Sequence, residues 1–204
     1  MRFYGNERIA LYTAHEHKDM ESLEDDNILP LLTAETTVMH DHNVVNYNTK
    51  FCFCNIECNQ HLQRDCQRNS DDTGHMWSSE LKRLISSTIR DRKDMIDAGQ
   101  DTFRDEYVQQ FNDELDTILS AGWTQNEKEN DCNEASFERA LLRRVEKYRD
   151  NSFLWVKDFK MPTTNNVSER ALRVVKSHLR VSGQFQNIEA ARNYARIRSY
   201  VETC

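Results

Sequence analysis

The spacing of apolar side chains changes near residue 70. Before that point, short apolar runs alternate with polar stretches, which predicts strands separated by helical segments. The predicted strands are Arg8–Thr13, Thr36–Met39 and Lys50–Ile56, and a helix is predicted within His17–Asn27. Strands that alternate with helices are typical of an α/β sheet.

From about Asp71 to Asp158 the apolar side chains recur at three-, four- and seven-residue steps. This spacing predicts amphipathic helices whose aromatic side chains belong to a core. The three stripes are Trp77, Leu81, Leu84, Thr88 and Met95; Phe103, Tyr107, Phe111, Leu115 and Ile118; and Phe137, Leu141, Val145 and Tyr148. The polar stretch Asn126–Asn133 predicts a connection between helices.

A further helix is predicted to begin at Asn166, with Glu169 at the spacing of a capping box. At 100° per residue, one side of this helix is apolar and the opposite side charged. The apolar side is Val167, Ala171, Val174, Val175 and Leu179, and the charged side is Glu169, Arg173, Lys176 and Arg180. Ser182-Gly183 ends the helix, and Ile188–Val201 is predicted as the last one.

Composition narrows the class of protein. The chain has 204 residues, a formal charge of −7, 38% hydrophobic residues and 30% charged residues, which suits one globular domain or a core domain with an insertion. Six cysteines are too sparse for a disulfide scaffold, and no apolar run approaches a membrane span. We therefore expect a cytoplasmic protein without a membrane partner.

The charge is unevenly distributed. Residues 161–204 hold seven Lys or Arg and three acidic residues, while the rest of the chain is strongly acidic. A basic C-terminal end permits a polyanionic partner there, although a solvated helix face would have the same composition.

Two carboxylates are candidates for chemistry. Asp41 directly follows a strand-like run, where α/β folds place functional groups, but a turn or helix cap would also use an Asp there. Glu169 is aligned with a basic stripe, but it could equally be a capping carboxylate or an intrahelical salt-bridge partner. Spacing alone leaves both alternatives open.

A third candidate is the cluster Cys52, Cys54, Cys58 and His61. Thiolates and imidazole are the ligands that zinc prefers, but this spacing is not that of a paired zinc knuckle. Free cysteines on one face of a strand would instead pack as small hydrophobic side chains.

Taken together, these segments resemble the insertion-sequence-66 family of bacterial transposases. The densest match is Pro162-Thr-Thr-Asn-Asn-Val-Ser-Glu-Arg170, continuing through Ser182-Gly183 to Ala195-Arg-Ile-Arg-Ser-Tyr200. Two earlier elements agree: His40-Asp41 after a strand, and Glu57-Cys-Asn-Gln-His-Leu-Gln-Arg-Asp65, which is similar to the family's Cys-x-x-His-Leu-x-Arg segment.

The resemblance implies an α/β fold: an incomplete ribonuclease-H-like core, a mixed sheet with flanking helices, plus a mostly helical insertion. Residues 1–70 would form the first part of the catalytic core, 71–160 the insertion, and 161–204 the C-terminal helices that complete the core. The implied activity is DNA strand cleavage and transfer of the DDE type, with an acidic triad that holds two divalent metal ions, Mg²⁺ or Mn²⁺.

The resemblance also implies residue roles. Asp41 would be the second catalytic acid and metal ligand, and Glu169 the third. Cys58 and His61 would support the site structurally. The side chains that would bind the DNA backbone beside Glu169 are Arg170, Arg173, Lys176 and Arg180. The expected partners are transposon-end and target DNA, further copies of this chain and other transposase subunits.

The family's first catalytic Asp would precede the strand that opens this chain, and relatives continue beyond Cys204. We therefore expect a chain truncated at both ends, with an impaired two-metal site. The alternative to a transposase is an inactive remnant that acts only by binding DNA or an intact transposase.

Overall fold

The part of the chain that the structure describes is a mostly helical α/β mixture with two small sheets. The computed structural model describes residues 1–6, 8–17, 19–127 and 132–204. The strands are β1 (Arg2–Gly5), β2 (Ala10–Thr13), β3 (Thr37–His40) and β4 (Cys54–Glu57). The helices are α1 (Met20–Asp25), α2 (Asn59–Thr73), α3 (Met76–Asp97), α4 (Asp105–Asn126), α5 (Asn133–Lys147), α6 (Arg149–Lys157), α7 (Asn166–Ser182) and α8 (Ile188–Thr203). Two short 3₁₀ helices span Leu29–Leu31 and Val44–Tyr47.

The chain forms two compact units. The first contains Met1–Thr37, Asn43–Cys54 and Asn165–Cys204, and the second contains Val38–His42 and Asn55–Thr164. No helix among the described residues combines the length and the apolar character needed to cross a membrane.

In the first unit, β1 and β2 form an antiparallel hairpin against which α7 and α8 pack. The register pairs Phe3 with Tyr12, and their rings make an edge-to-face contact with centroids 5.2 Å apart. One buried cluster of this unit is small and consists of Ala10, Tyr12, Ala14, Val175, Ala191 and Ala195.

Helix α8 covers the edge of β2 that faces away from β1. The backbone N–H of Tyr12 donates to the Ser199 hydroxyl at 2.8 Å, and that of Ala10 donates to the Thr203 hydroxyl at 3.1 Å. The Thr203 hydroxyl in turn donates to the Ala10 carbonyl at 3.0 Å. Two hydroxyls one helical turn apart therefore satisfy backbone groups that a neighbouring strand would otherwise pair.

Asp26 connects the hairpin to the end of α1 in the first unit. Its side chain is 1% exposed and accepts from Arg2 Nη1 at 3.0 Å, Tyr4 Oη at 2.7 Å and Thr13 Oγ1 at 3.0 Å. His15 Nε2 lies 2.6 Å from the other carboxylate oxygen. Burial opposes ionisation of Asp26, but these hydrogen bonds outweigh burial and lower its pKa.

The second unit is built on α2 to α6. The three sequence stripes supply half of the buried residues of its hydrophobic core, and the structure confirms the amphipathic helices predicted between Asp71 and Asp158. Gly122 lets α4 approach α3 closely, because a Cβ there would lie 2.9 Å from the Trp77 indole and 2.7 Å from Leu142 Cδ2. Asn126 ends α4 and Asn133 begins α5, and residues 128–131 of the predicted connection lie outside the described residues.

A fully buried carboxylate, Glu138, joins four side chains in this helical core. Its Oε1 accepts from Trp77 Nε1 at 2.6 Å, His75 Nδ1 at 2.8 Å and Asn69 Nδ2 at 3.1 Å. Its Oε2 accepts from Asn126 Nδ2 at 2.8 Å. Burial opposes ionisation here too, but the hydrogen bonds outweigh it and lower the pKa of Glu138.

Strands β3 and β4 run parallel. The Cys54 N–H donates to the Thr36 carbonyl at 2.9 Å and the Cys58 N–H donates to the His40 carbonyl at 3.0 Å, so both chains advance in the same direction. The predicted strand Lys50–Ile56 is wrong in its start, because pairing begins only at Cys54. Phe51 and Phe53 precede the strand, but both are buried, and their rings stack with centroids 5.5 Å apart.

Candidate functional site

Asp41 is the first residue after β3, as the sequence predicts, and it is exposed. The last residue of the parallel neighbour β4 is Glu57, which is buried. Two carboxylates therefore follow or end adjacent parallel strands at their carboxyl edge, where α/β sheets place functional groups.

The backbone around Asp41 is held by its neighbours. His40 Nδ1 donates to the Asp41 carbonyl at 3.0 Å, while the His40 carbonyl accepts from Cys58 of the parallel partner. His40 Nε2 lies 3.0 Å from the side-chain amide of Asn55, and the Asn55 carbonyl accepts from Asn151 at 2.7 Å. An exposed carboxylate thus projects from a backbone that is fixed on its N-terminal side.

Glu57 holds the residue on the other side of Asp41. Glu57 Oε1 lies 2.6 Å from His42 Nδ1, and Oε2 accepts from Arg144 Nε at 3.0 Å and Nη2 at 2.9 Å. Arg144 Nη1 also donates to Asp65 at 2.6 Å, and the His42 ring contacts Tyr148 edge-on at 5.2 Å. The Glu57 side chain is 1% exposed and that of Arg144 is 9% exposed.

This arrangement separates the two carboxylates chemically. Both oxygens of Glu57 already accept from cationic or imidazole nitrogens, and its charge is matched by Arg144 in a buried, charge-assisted pair. Asp41 presents its carboxylate to solvent instead. Asp41 can bind a ligand from solution, whereas Glu57 can only organise the protein around it.

The Glu57–Arg144–Asp65 network was not predicted from the sequence. A signal was present in α5, because Arg144 falls on the same face as the apolar stripe of Leu141 and Tyr148. An arginine on a buried helix face requires a carboxylate partner, since an unpaired buried charge is costly.

Glu169 lies in the first turn of α7, but the predicted capping box is wrong. Asn165 is the N-cap residue and Asn166 is already helical, so the capping-box position falls on Ser168. The Glu169 N–H donates to the Asn165 carbonyl at 3.0 Å, and the side chain is half-buried. The capping-box explanation of Glu169 is therefore removed, although the helix N-terminus still favours a carboxylate there.

The basic side chains of α7 are all exposed, namely Arg170, Arg173, Lys176 and Arg180. Within the described part of the chain none of them forms an ion pair, so their charge is not neutralised. We call these four side chains the basic face of α7. On the opposite side Val175 is buried with Ala171, Leu172 and Leu179 packed nearby.

The predicted apolar side of α7 needs two corrections. Val167 is 42% exposed and Val174 is 39% exposed, so neither belongs to the buried face. Leu172 packs against the cluster instead, because β1 and the Tyr194 ring of α8 contact α7 over an arc shifted from the predicted one.

Cys58 is fully buried and is the N-cap residue of α2, and its Sγ lies within 4.8 Å of a ring nitrogen of His61. Cys52 is exposed and precedes β4, so the predicted common strand face for Cys52 and Cys54 is wrong. Cys58 and His61 belong to the second unit, and Cys52 and Cys54 to the first.

The candidate residues are divided between the two units. Asp41, Cys58 and His61 belong to the second, while Glu169 and the basic face of α7 belong to the first.

The family model described as "Transposase IS66 family" matches residues 3–193. Neither a curated protein nor a solved structure matches the chain.

Proposed function

Since the chain belongs to the IS66 family of transposases, we propose that it takes part in metal-dependent cleavage and transfer of DNA strands during transposition of an insertion sequence. The reaction is of the DDE type, with Asp41 and Glu169 as catalytic acids. The observation that carries the proposal is that Asp41, within the matched residues, is an exposed carboxylate on a fixed backbone at the carboxyl end of a parallel strand.

The fold proposed for this reaction is a ribonuclease-H-like core formed by residues 1–70 and 161–204, with residues 71–160 as a helical insertion. In support of a mixed sheet, the described residues contain both an antiparallel pair of strands, β1–β2, and a parallel pair, β3–β4, which form two separate sheets in the structure. Every secondary-structure element that the structure shows within residues 71–160 is a helix.

The donor set fits a divalent metal ion. Asp41 and Glu169 offer carboxylate oxygens, which are hard ligands of the kind that Mg²⁺ and Mn²⁺ take. When bound, a metal pair would activate the attacking oxygen and neutralise charge at the scissile phosphate. The role of the protein is to present carboxylate side chains at fixed positions, which the backbone contacts of His40 do for Asp41.

The second contribution of this chain is to hold DNA. The basic face of α7 is exposed and not neutralised by acidic neighbours within the described residues. Side chains of this kind bind phosphates without reading sequence, so we assign the basic face to backbone contacts. Further copies of the chain or other transposase subunits complete the proposed set of partners.

The test is nicking of supercoiled plasmid by the purified chain in Mn²⁺. We expect Asp41→Asn and Glu169→Gln each to lower the nicking rate by about 100-fold or more, since each removes a ligand worth several kcal/mol at the transition state. The matched control for Glu169 is Glu189→Gln, because Glu189 is an exposed acid in the first turn of α8. Asp97→Asn, at the end of α3, serves the same purpose for Asp41.

Nicking that survives Glu169→Gln would overturn the enzymatic proposal. So would the absence of any Mn²⁺-dependent nicking by the unaltered chain. Retention of DNA binding in that case would favour the alternative function, a catalytically inactive transposase relative that acts by binding DNA or an intact transposase.

A further inference from the structure

We propose that Glu57, held by Arg144, is a positioning residue that fixes the exposed carboxylate of Asp41 through His42. The inference rests on the proposed function for the role of Asp41, but the contacts that carry its structural part all lie within the second unit. Glu57 itself is not offered as a metal ligand.

Asp41 has little packing of its own. Its side chain is exposed, and it lies where β3 has ended and the next 3₁₀ helix has not begun. A carboxylate that ligates a metal must be held within a fraction of an ångström. The position of Asp41 therefore depends on the residues that precede and follow it.

The two residues that flank Asp41 are held by different means. His40 is fixed by the backbone of Cys58 and by its own contacts with Asp41 and Asn55. His42 is fixed by its contact of 2.6 Å with Glu57 and by the Tyr148 ring. Removing the Glu57 contact would release the C-terminal side of Asp41 and leave its N-terminal side in place.

Glu57 is itself held in place by charged neighbours. Arg144 binds its Oε2 through two nitrogens, and Asp65 takes the remaining nitrogen of the guanidinium. Two helices, α2 and α5, thereby anchor a carboxylate at the end of β4. Two donors that converge on Oε2 hold that oxygen in place, and His42 contacts the other oxygen of the same planar carboxylate, so the oxygen that faces His42 is also restricted in position.

Glu138 provides a matched comparison within the same unit. It is also a buried glutamate that accepts from a histidine Nδ1, here His75 at 2.8 Å, but its partners lie in the helical core and do not flank Asp41. If Glu57 had a purely structural role, replacing either glutamate would have the same effect on Asp41. A positioning role predicts that only the replacement of Glu57 changes how Asp41 is held.

The experiment compares Glu57→Gln, His42→Phe and Glu138→Gln by hydrogen–deuterium exchange and by Mn²⁺ binding followed with electron paramagnetic resonance. His42→Phe is included because it keeps a ring against Tyr148 and leaves the Glu57–Arg144 pair intact, so it should fold even if Glu57→Gln does not. We expect amide exchange in residues 41–45 to rise about tenfold or more in both variants, as for loss of a hydrogen bond to a charged group.

The Mn²⁺ concentration at half-saturation should rise about tenfold in the same two variants. Glu138→Gln should lower thermal stability without either effect. Unchanged exchange of residues 41–45 in His42→Phe, or an equal rise in Glu138→Gln, would overturn the positioning role. Mn²⁺ binding that survives Asp41→Asn would instead overturn the proposed function, while the exchange result still decides what Glu57 does.

Discussion

Neutralising the basic face of α7 should change the salt dependence of DNA binding by a predictable amount. The four side chains, Arg170, Arg173, Lys176 and Arg180, are exposed and form no ion pair within the described residues, so each is available to a phosphate. Each phosphate contact contributes about 0.9 to the slope of log affinity against log salt, and four contacts therefore contribute about 3.6.

A slope of that size corresponds to about a 150-fold loss of affinity between 50 and 200 mM salt. The variant in which all four residues are Gln should lose this part of the dependence. The assay is fluorescence anisotropy with a duplex of arbitrary sequence, measured over that range of salt, because backbone contacts require no specific site.

The control keeps the change in net charge but moves it to the second unit. Arg83, Arg90, Lys93 and Arg104 are also four exposed basic residues without ion pairs among the described residues, and replacing them by Gln should change the slope by less than about one contact. Equal slopes for the α7 variant and the unaltered protein would refute the assignment. So would equal losses in the two variants, because the effect would then reflect net charge alone.

Two predictions concern the helical core. Gly122→Ala should be neutral or should lower the free energy of unfolding by up to about 2 kcal/mol, as measured by urea unfolding. The substitution gains about 1 kcal/mol in helix propensity but costs about 1–3 kcal/mol in overpacking. The overpacking arises because the added Cβ would meet the Trp77 indole, which Glu138 holds in place. Glu138→Gln should cost about 1–3 kcal/mol at pH 7 and should flatten the acid limb of a stability–pH curve. The pKa of Glu138 is depressed, so its contribution is present above the ordinary glutamate value of 4.5 and is lost as the pH falls below it.

Each of these two predictions has an outcome that would contradict it. A Gly122→Ala variant stabilised by the full propensity gain of about 1 kcal/mol would show that Trp77 and Leu142 can move aside. A Glu138→Gln variant with the same acid limb as the unaltered protein would show that other carboxylates, such as Asp26, account for the loss of stability in acid.

The long helices α3 and α4 could be predicted because their buried faces are apolar. In α3 the stripe from Trp77 to Thr88 is buried as expected, and the same holds for Phe111 to Ile118 in α4. Helix α2 was not predicted, since its buried face mixes Leu62 and Cys66 with Asn59 and Asn69. An apolar periodicity cannot reveal a helix whose buried side is partly polar.

The candidate site was predictable only in part. The position of Asp41 after a strand follows from a local run of β-branched residues, and the structure confirms that position. The contact between Glu57 and Arg144 joins residues 87 positions apart, and that between Asp65 and Arg144 joins residues 79 apart. Such pairs arise from tertiary packing, so local patterns do not identify the partners. The catalytic and DNA-binding roles of the candidate residues stay predictions.

The cover that α8 gives to β2 has a consequence for synthesis of the protein. The Ser199 hydroxyl that binds Tyr12 lies 187 residues further along the chain. At about 5–20 residues per second, translation leaves the edge of β2 uncovered for roughly 10–40 s. During that time the N–H groups of Ala10 and Tyr12 can recruit a strand from another nascent chain. Ribosome pausing after β2 and before α8 should therefore increase co-translational aggregation. The edge of β2 is covered only when α8 emerges from the ribosome.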